Sequence, residues 1–513
     1  MHKLKTKFNQ WYGPALISGF LLYCSFPEID LFPLAWIALV PLFTFLYDKN
    51  EIEAFKAGFL TGLVYFFGTT YWVYHSINKY GGIPLVPSLL LVLIMCMYLS
   101  LYPAVFSCIY SSYVRRTDLP SLFVAPVFWT TLEFLRSYAL SGFPWSSLGY
   151  SQYRFLPAIQ IADITGVYGI SFLIVAVNGA ITDILLNKRR RIERPLASIF
   201  PLVSGFAALA LAIVLTFSYG FYRMYQTPSG HTVNVAVVQG NIEQDVKWDP
   251  AYQQAVLATY KNLSFSAAQK SPDLIVWPET SLPFYFRTDK ALTDDLIAFH
   301  QQQNSYLLFG SILQKRGEEG TVKGYANSAV LLDKYGNITY IYDKIHLVPF
   351  GEYVPFRWLF SFLDLTGSIG DFVPGESYIK AVTPFGSFGT LICYEIIFPG
   401  LVRKFYVKGG DFIVNITNDA WFGSTHGPHQ HFSMAVFRAI ENRKPVVRAA
   451  NTGISGFIDS SGRILATTGL FKRTVIVSPV KTDATLSKYT KYGDIFSYMC
   501  IVCSLLILVG RRR

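Results

Sequence analysis

The stretch GTLICYEI, residues 389–396, ends a run of strand-forming residues in a thiol, Cys393. The reactive form of a cysteine is its thiolate, and a free thiol titrates near ~8.5. A nucleophilic Cys393 therefore needs a base to take its proton or a cation to hold the anion. Glu395, two residues on, supplies neither, because a nearby carboxylate disfavours the thiolate. Two other groups close apolar, strand-like runs: Glu279 in DLIVWPET (273–280) and Lys344 in IYDKIHLVPFGEYVP (341–355). If three strand ends converge on one sheet edge, Glu279 can take the thiol proton. Lys344 can then donate to an oxyanion, a large term in acyl chemistry. Charged residues at strand ends are common in α/β domains, so spacing alone leaves this trio and a purely structural reading both open.

The elements that would position these groups fall into two kinds. Of the 513 residues, 52% are hydrophobic and 15% charged, and the mean hydropathy is +0.34, too apolar for a soluble chain of this length. The apolar residues cluster in blocks before about residue 222 and again near the end. A crossing helix needs about 20 apolar residues. Candidate spans lie at 12–29, 31–47, 55–77, 85–112, 121–139, 166–187, 196–221 and 494–510, the first two so tightly joined that they could form a hairpin. Basic residues of short loops (Lys49 and Lys56, Arg115 and Arg116, Lys188 to Arg191 with Arg194) and of both termini place the N-terminus inside. Seven spans then deliver residues 231–488 to the outer side. This topology signal accounts for much of the net charge of +11 without nucleic acid.

The domains expected are thus a transmembrane domain at 1–222, a globular domain at 231–488 and a last helix at 494–510. In the globular part, runs such as TVNVAVVQGN (232–241), DLIVWPET, YLLFGSIL (306–313) and DFIVNITN (411–418) read as buried strands, and 250–269 and 289–303 read as helices. A hairpin turns at Tyr335-Gly336-Asn337. This alternation predicts an α/β domain with layered sheets and helices. Cys393 is its single cysteine, so no internal disulfide can form there. THGPHQH (425–431) has His-x-His spacing but no Cys, Asp or Glu close by, and reads as a loop rather than a metal site. In the membrane part, Glu133 and Arg136 lie one helical turn apart and could pair. Arg136 is also a candidate contact for a lipid phosphate. PFYFR (283–287) and RWLFSF (357–362) are candidate bilayer-dipping loops or core.

VWPETSLP, DKIHLVPFGEYVP, LICYEIIFP, NDAWFG and RAANTGISGF occur in this order. The set resembles the nitrilase superfamily. With the flanking spans, and with GFPWSSLGYSQ and QIADITGVYGISFL in the membrane half, the whole chain resembles the apolipoprotein N-acyltransferases. The resemblance implies a multi-span helical membrane domain joined to an α-β-β-α nitrilase-like sandwich on the periplasmic face of a bacterial inner membrane. It implies acyl transfer from a phospholipid, phosphatidylethanolamine by expectation, to the N-terminal amine of a diacylglyceryl-cysteine lipoprotein. By position it makes Glu279 the base, Lys344 the oxyanion donor and Cys393 the nucleophile, with no metal or cofactor. Glu352, Tyr394 and Glu395 match supporting residues, and Trp248 in DVKWDP matches a tryptophan of a mobile loop. The competing expectation is a membrane-tethered nitrilase-type amidase using the same trio on water.

Overall fold

The computed structural model describes residues 2–117, 119–193, 199–316, 321–354 and 372–510. RWLFSF, with Trp358 and Phe360, lies outside the described residues, as do Arg194 and residues 511–513. The chain divides into two compact units, Met1–Gln226 with Tyr492–Arg513, and Thr227–Lys491.

The first unit is helical. Among the described residues three of its helices, Leu85–Arg116, Val167–Leu186 and Leu202–Tyr225, are long and apolar enough to cross a membrane. Shorter apolar helices cover Gly13–Cys24, Phe32–Leu46 and Ile495–Gly510. The run at 31–47 is not one clean helix. It forms a 3-10 turn, Phe32–Trp36, and then Val40–Leu46, each opening on a proline in its first turn. Proline starts a helix readily and cannot continue one. Helix Glu51–Thr70 opens on a capping box between Asn50 and Glu53. It lies against Leu85–Arg116 through small residues: a Cβ on Gly58 would meet Ser107 and the Pro103 carbonyl, and one on Gly62 would sit 2.9 Å from Ser100 Cα. Close backbone approach of this kind is how helices pack in lipid.

Helix Ser121–Arg136 has its first N–H groups capped by a distant carboxylate. Asp183 accepts from Ser121 N and Leu122 N, both at 3.0 Å. At its other end Glu133 and Arg136 clamp one turn. Glu133 Oε1 accepts from Leu148 N at 2.7 Å, and Arg136 donates to the Trp145 carbonyl at 2.7 Å and to Ser147 Oγ at 3.3 Å while stacking on Phe66. Arg136 is 3% exposed. It therefore braces the GFPWSSLGY turn and also lines a cavity with Glu133, Tyr65 and Phe66.

Among the described residues the second unit holds twelve strands: β1 (Thr232–Gln239), β2 (Leu274–Val276), β3 (Tyr306–Arg316), β4 (Val322–Leu332), β5 (Ile338–Asp343), β6 (Ala381–Thr383), β7 (Gly386–Ile392), β8 (Phe412–Thr417), β9 (Val446–Ala450), β10 (Gly456–Ile458), β11 (Ile464–Thr467) and β12 (Thr474–Lys481). They build two six-stranded sheets, ordered β12-β1-β2-β3-β4-β5 and β11-β10-β9-β8-β7-β6. Strands β2, β8 and β9 are buried along their whole length. Such strands are covered on both faces and read as continuous apolar runs. Helix Gln253–Ala268 lies on the first sheet, Gly427–Asn442 lies along β9 and β10 of the second, and the sheets meet at β1 and β9. This is an α-β-β-α sandwich. Val256, Leu257 and Tyr260 of the first helix pack with Ile275, Trp277, Leu307 and Phe309 in the core.

Candidate active site

The C-terminal strand ends gather the polar residues. β1, β2 and β3 run parallel. β4 is antiparallel to both β3 and β5, so β5 points the same way as β2. In the second sheet β7, β8 and β9 run parallel. Glu279 follows β2, Lys344 follows β5, and Cys393 follows β7. All three are buried, at 5%, 1% and 7% exposure.

Lys344 Nζ lies 3.6 Å from Glu279 Oε1 and 2.9 Å from both oxygens of Glu352. Asn327 Nδ2 bridges the two acids, 2.8 Å from Glu279 Oε1 and 2.9 Å from Glu352 Oε1. Asn418 N donates to Glu279 Oε2 at 2.8 Å and Val348 N to Glu352 Oε2 at 2.8 Å. Burial alone would lower the Lys344 ammonium; Glu352, then Glu279 and Cys393, overcome it and hold the group above the ordinary lysine range. Lys344 is therefore held in its charged form, its ammonium donating to Glu352.

Cys393 sits in left-handed backbone, φ +52°, opening the 3-10 turn Cys393–Ile397. A non-glycine residue there is strained and is held by its surroundings. Burial, then the charge of Glu279, push its thiol up; Lys344 pulls it down. At neutral pH the thiol keeps its proton until a base removes it. Glu395 is fully buried and accepts from Tyr342 Oη, Ile345 N, His346 N and Ile392 N. Burial pushes it up to about 7 against those four donors. Its geometry ties the turn after Cys393 to the loop after Lys344. Tyr394 packs on Phe398 and His346. Trp248 packs on Tyr285, 5.9 Å between rings.

The loop expected at 425–431 is a correction. Gly427–Asn442 is a helix with Pro428 in its first turn, and His431 is fully buried. His431 Nε2 lies 3.3 Å from the Cys393 carbonyl, which makes it the donor there. Nδ1 lies 2.9 Å from an Arg448 N–H and 3.1 Å from Asp419 Oδ1. Burial and then Arg448 push His431 down, so it stays neutral and accepts from Arg448. Arg448 also donates to Asp419 Oδ2 at 2.8 Å. Burial would raise Asp419, but the Arg448 guanidinium holds it down to about 2. The helix escaped notice because its buried face carries paired polar groups, Arg438 with Glu441 among them, instead of an apolar stripe.

Two family models divide the chain as its fold does. Residues 18–180 match the apolipoprotein N-acyltransferase N-terminal domain, and residues 234–488 match the carbon-nitrogen hydrolase domain. A Geobacter metallireducens protein named apolipoprotein N-acyltransferase is 42% identical over 510 residues, covering 98% of this chain and 96% of that protein. A Pasteurella multocida protein of the same name is 34% identical, covering 100% of this chain and 96% of that protein. This chain belongs to the apolipoprotein N-acyltransferase family. It is an enzyme of that family, and the amidase alternative is not favoured. Among solved structures, Saccharomyces cerevisiae Nit3 of the nitrilase superfamily is 20% identical, covering 50% of this chain and 91% of that one, with a TM-score of 0.38.

Sequence reasoning missed the residues that orient the trio. Asn327 lies mid-strand in YANSAV, and only its interruption of an apolar run marks it. Asn418 heads NDAWFG, a motif noticed without a role for its first residue. Lys247, beside Trp248, was passed over entirely.

Proposed function

We propose that this family member moves a fatty acyl chain from a phospholipid to the N-terminal amine of a diacylglyceryl-cysteine lipoprotein, through a thioester on Cys393. The observation that carries the reading is geometric: Glu279, Lys344 and Cys393 are buried at the ends of β2, β5 and β7, with Lys344 Nζ 3.6 Å from Glu279 Oε1. In the first half-reaction Glu279 takes the Cys393 proton and the sulfur attacks the ester carbonyl. Lys344 and a backbone N–H stabilise the oxyanion. The ester C–O bond breaks and Glu279 returns the proton to the departing lysophospholipid. In the second, the lipoprotein amine attacks the thioester. A C–N bond forms, the C–S bond breaks, and the amine proton passes through Glu279 to the sulfur. Glu352 and Asn327 hold Lys344 and Glu279 in register throughout. Phosphatidylethanolamine is the proposed donor, and a bacterial inner membrane with residues 231–488 on its outer face is the proposed setting, supported by the distribution of basic loop residues.

The test is intact-protein mass spectrometry of detergent-purified protein incubated with phosphatidylethanolamine. A hydroxylamine-sensitive gain of one acyl chain is expected, absent in Cys393→Ser and slowed about 100- to 1000-fold in Lys344→Met. A diacylglyceryl-cysteine peptide then discharges it onto its amine. Absence of any adduct, with small amides hydrolysed instead, sinks the proposal.

A further inference from the structure

The proposed chemistry leaves one buried cation beside the base unused. Lys247 closes the short helix Gln244–Lys247, and its side chain is wholly out of solvent. Its ammonium donates to Thr280 Oγ1 at 2.7 Å and to the Glu279 carbonyl at 3.4 Å. Among the described residues no carboxylate forms an ion pair with it. A buried ammonium satisfied only by neutral oxygens is costly to keep. Burial pushes it down to about 8, with the charge of Glu279 pulling the other way. A residue that merely filled this space would be Leu or Met.

What Lys247 grips is a strained turn. Thr280 has φ +43°, a rare place for a β-branched residue. The peptide it shares with Glu279 sets where the carboxylate points. Gly310 presses on the same peptide: a Cβ there would lie 2.4 Å from Thr280 N and 2.6 Å from Glu279 Cα. The lysine's own helix reaches the base by a second route. Gln244 Oε1 accepts from Asn418 Nδ2 at 2.7 Å, and the N–H of Asn418 holds Glu279 Oε2. Asn451 closes the network, donating from Nδ2 to Asn418 Oδ1 at 3.0 Å and to the Ile242 carbonyl at 2.7 Å.

We infer that Lys247 is a positioning residue for Glu279: its ammonium holds the left-handed Thr280 turn and, with Gln244, fastens the base to the segment that carries Trp248. The inference rests on Glu279 acting as the base. Docking of residues 242–248 and alignment of the base then become one event. A disturbance at Trp248 reaches the thiol without touching it.

The test uses the full chain in detergent and two readouts. One is the rate of Cys393 alkylation by iodoacetamide across neutral and alkaline pH. The other is the rate of acylation by phosphatidylethanolamine at saturating and limiting lipid. Lys247→Met is expected to slow both about 100-fold, the loss typical of a misplaced reacting group. Half-saturating lipid should stay within about twofold, since binding is untouched. Lys247→Arg should recover part of the rate. Thr280→Val should reproduce the loss, Thr280→Ser should not, and the double variant Lys247→Met with Thr280→Val should be little worse than either alone. Wild-type alkylation by Lys247→Met, or losses that multiply in the double variant, would overturn the inference. If Lys247→Met does not fold, Thr280→Val against Thr280→Ser decides on the same readouts. Alkylation needs no lipid, so a Lys247-dependent alkylation rate without any acyl adduct would sink the acyl-transfer reading and leave this one standing.

Discussion

Cys393 and Lys344 divide the work because burial disfavours the charged form of both, and only the ammonium has carboxylates that overcome it. The thiol loses its tendency to ionise, while the ammonium is kept charged by Glu352, 2.9 Å away, and then by Glu279. Glu395 adds a titration of its own. Its pKa is raised to about 7, so the folded state holds a proton that the unfolded chain has already released. Its contribution to stability is then full below the ordinary carboxylate range and is lost as pH rises through about 7. Glu395→Gln removes that titration and points an amide N–H at backbone donors, at a cost of about 1–3 kcal/mol. Thermal unfolding in detergent checks this: the deficit against wild type should be largest at mildly acidic pH and narrow above neutrality. An equal deficit at all pH values would show that Glu395 does not titrate in this window.

At the scale of elements, the site depends on backbone approaching backbone. Gly310 lies in the middle of β3, where glycine weakens a strand, yet the turn after β2 leaves no room for a Cβ. Gly310→Ala should push Glu279 and Thr280 away from β3. Acylation should fall by about 10- to 100-fold, with the fold retained. Measuring acyl-enzyme formation beside the thermal midpoint separates the two effects; a wild-type rate would mean that the β2 turn does not govern the base. The helical unit uses the same device at Gly58 and Gly62, where small residues let Glu51–Thr70 and Leu85–Arg116 meet.

For the whole molecule, charge in the short loops argues the orientation. The last helix, Ile495–Gly510, is more than a tether. Thr131 and Ser504 share a hydrogen bond of 2.9 Å, and Phe134 packs edge-on to Tyr498, so it belongs to the helical unit that begins the chain. With residues 231–488 outside the inner membrane, a cysteine placed at the β4–β5 hairpin tip by Lys334→Cys, in a Cys393→Ser background, should react with a membrane-impermeant maleimide in intact spheroplasts. Labelling only after lysis would reverse the proposed topology.

The sequence by itself determined the apolar blocks, the buried strands around β1, β2 and β8, the β4–β5 hairpin, and three residues worth suspecting. These are local properties. Side-chain alternation, turn residues and span length are set within a few positions along the chain. It misjudged what local pattern cannot carry: residues 425–431 looked like a loop, and most of them open the helix Gly427–Asn442. Only the tertiary structure decided which groups satisfy the buried charges. Glu279 is held by Asn418, 139 residues away, and by Asn327, 48 away, while Lys247 reaches Thr280 across 33. A buried charge needs partners from whichever segments the fold brings beside it, and that neighbourhood has no signature in either segment alone.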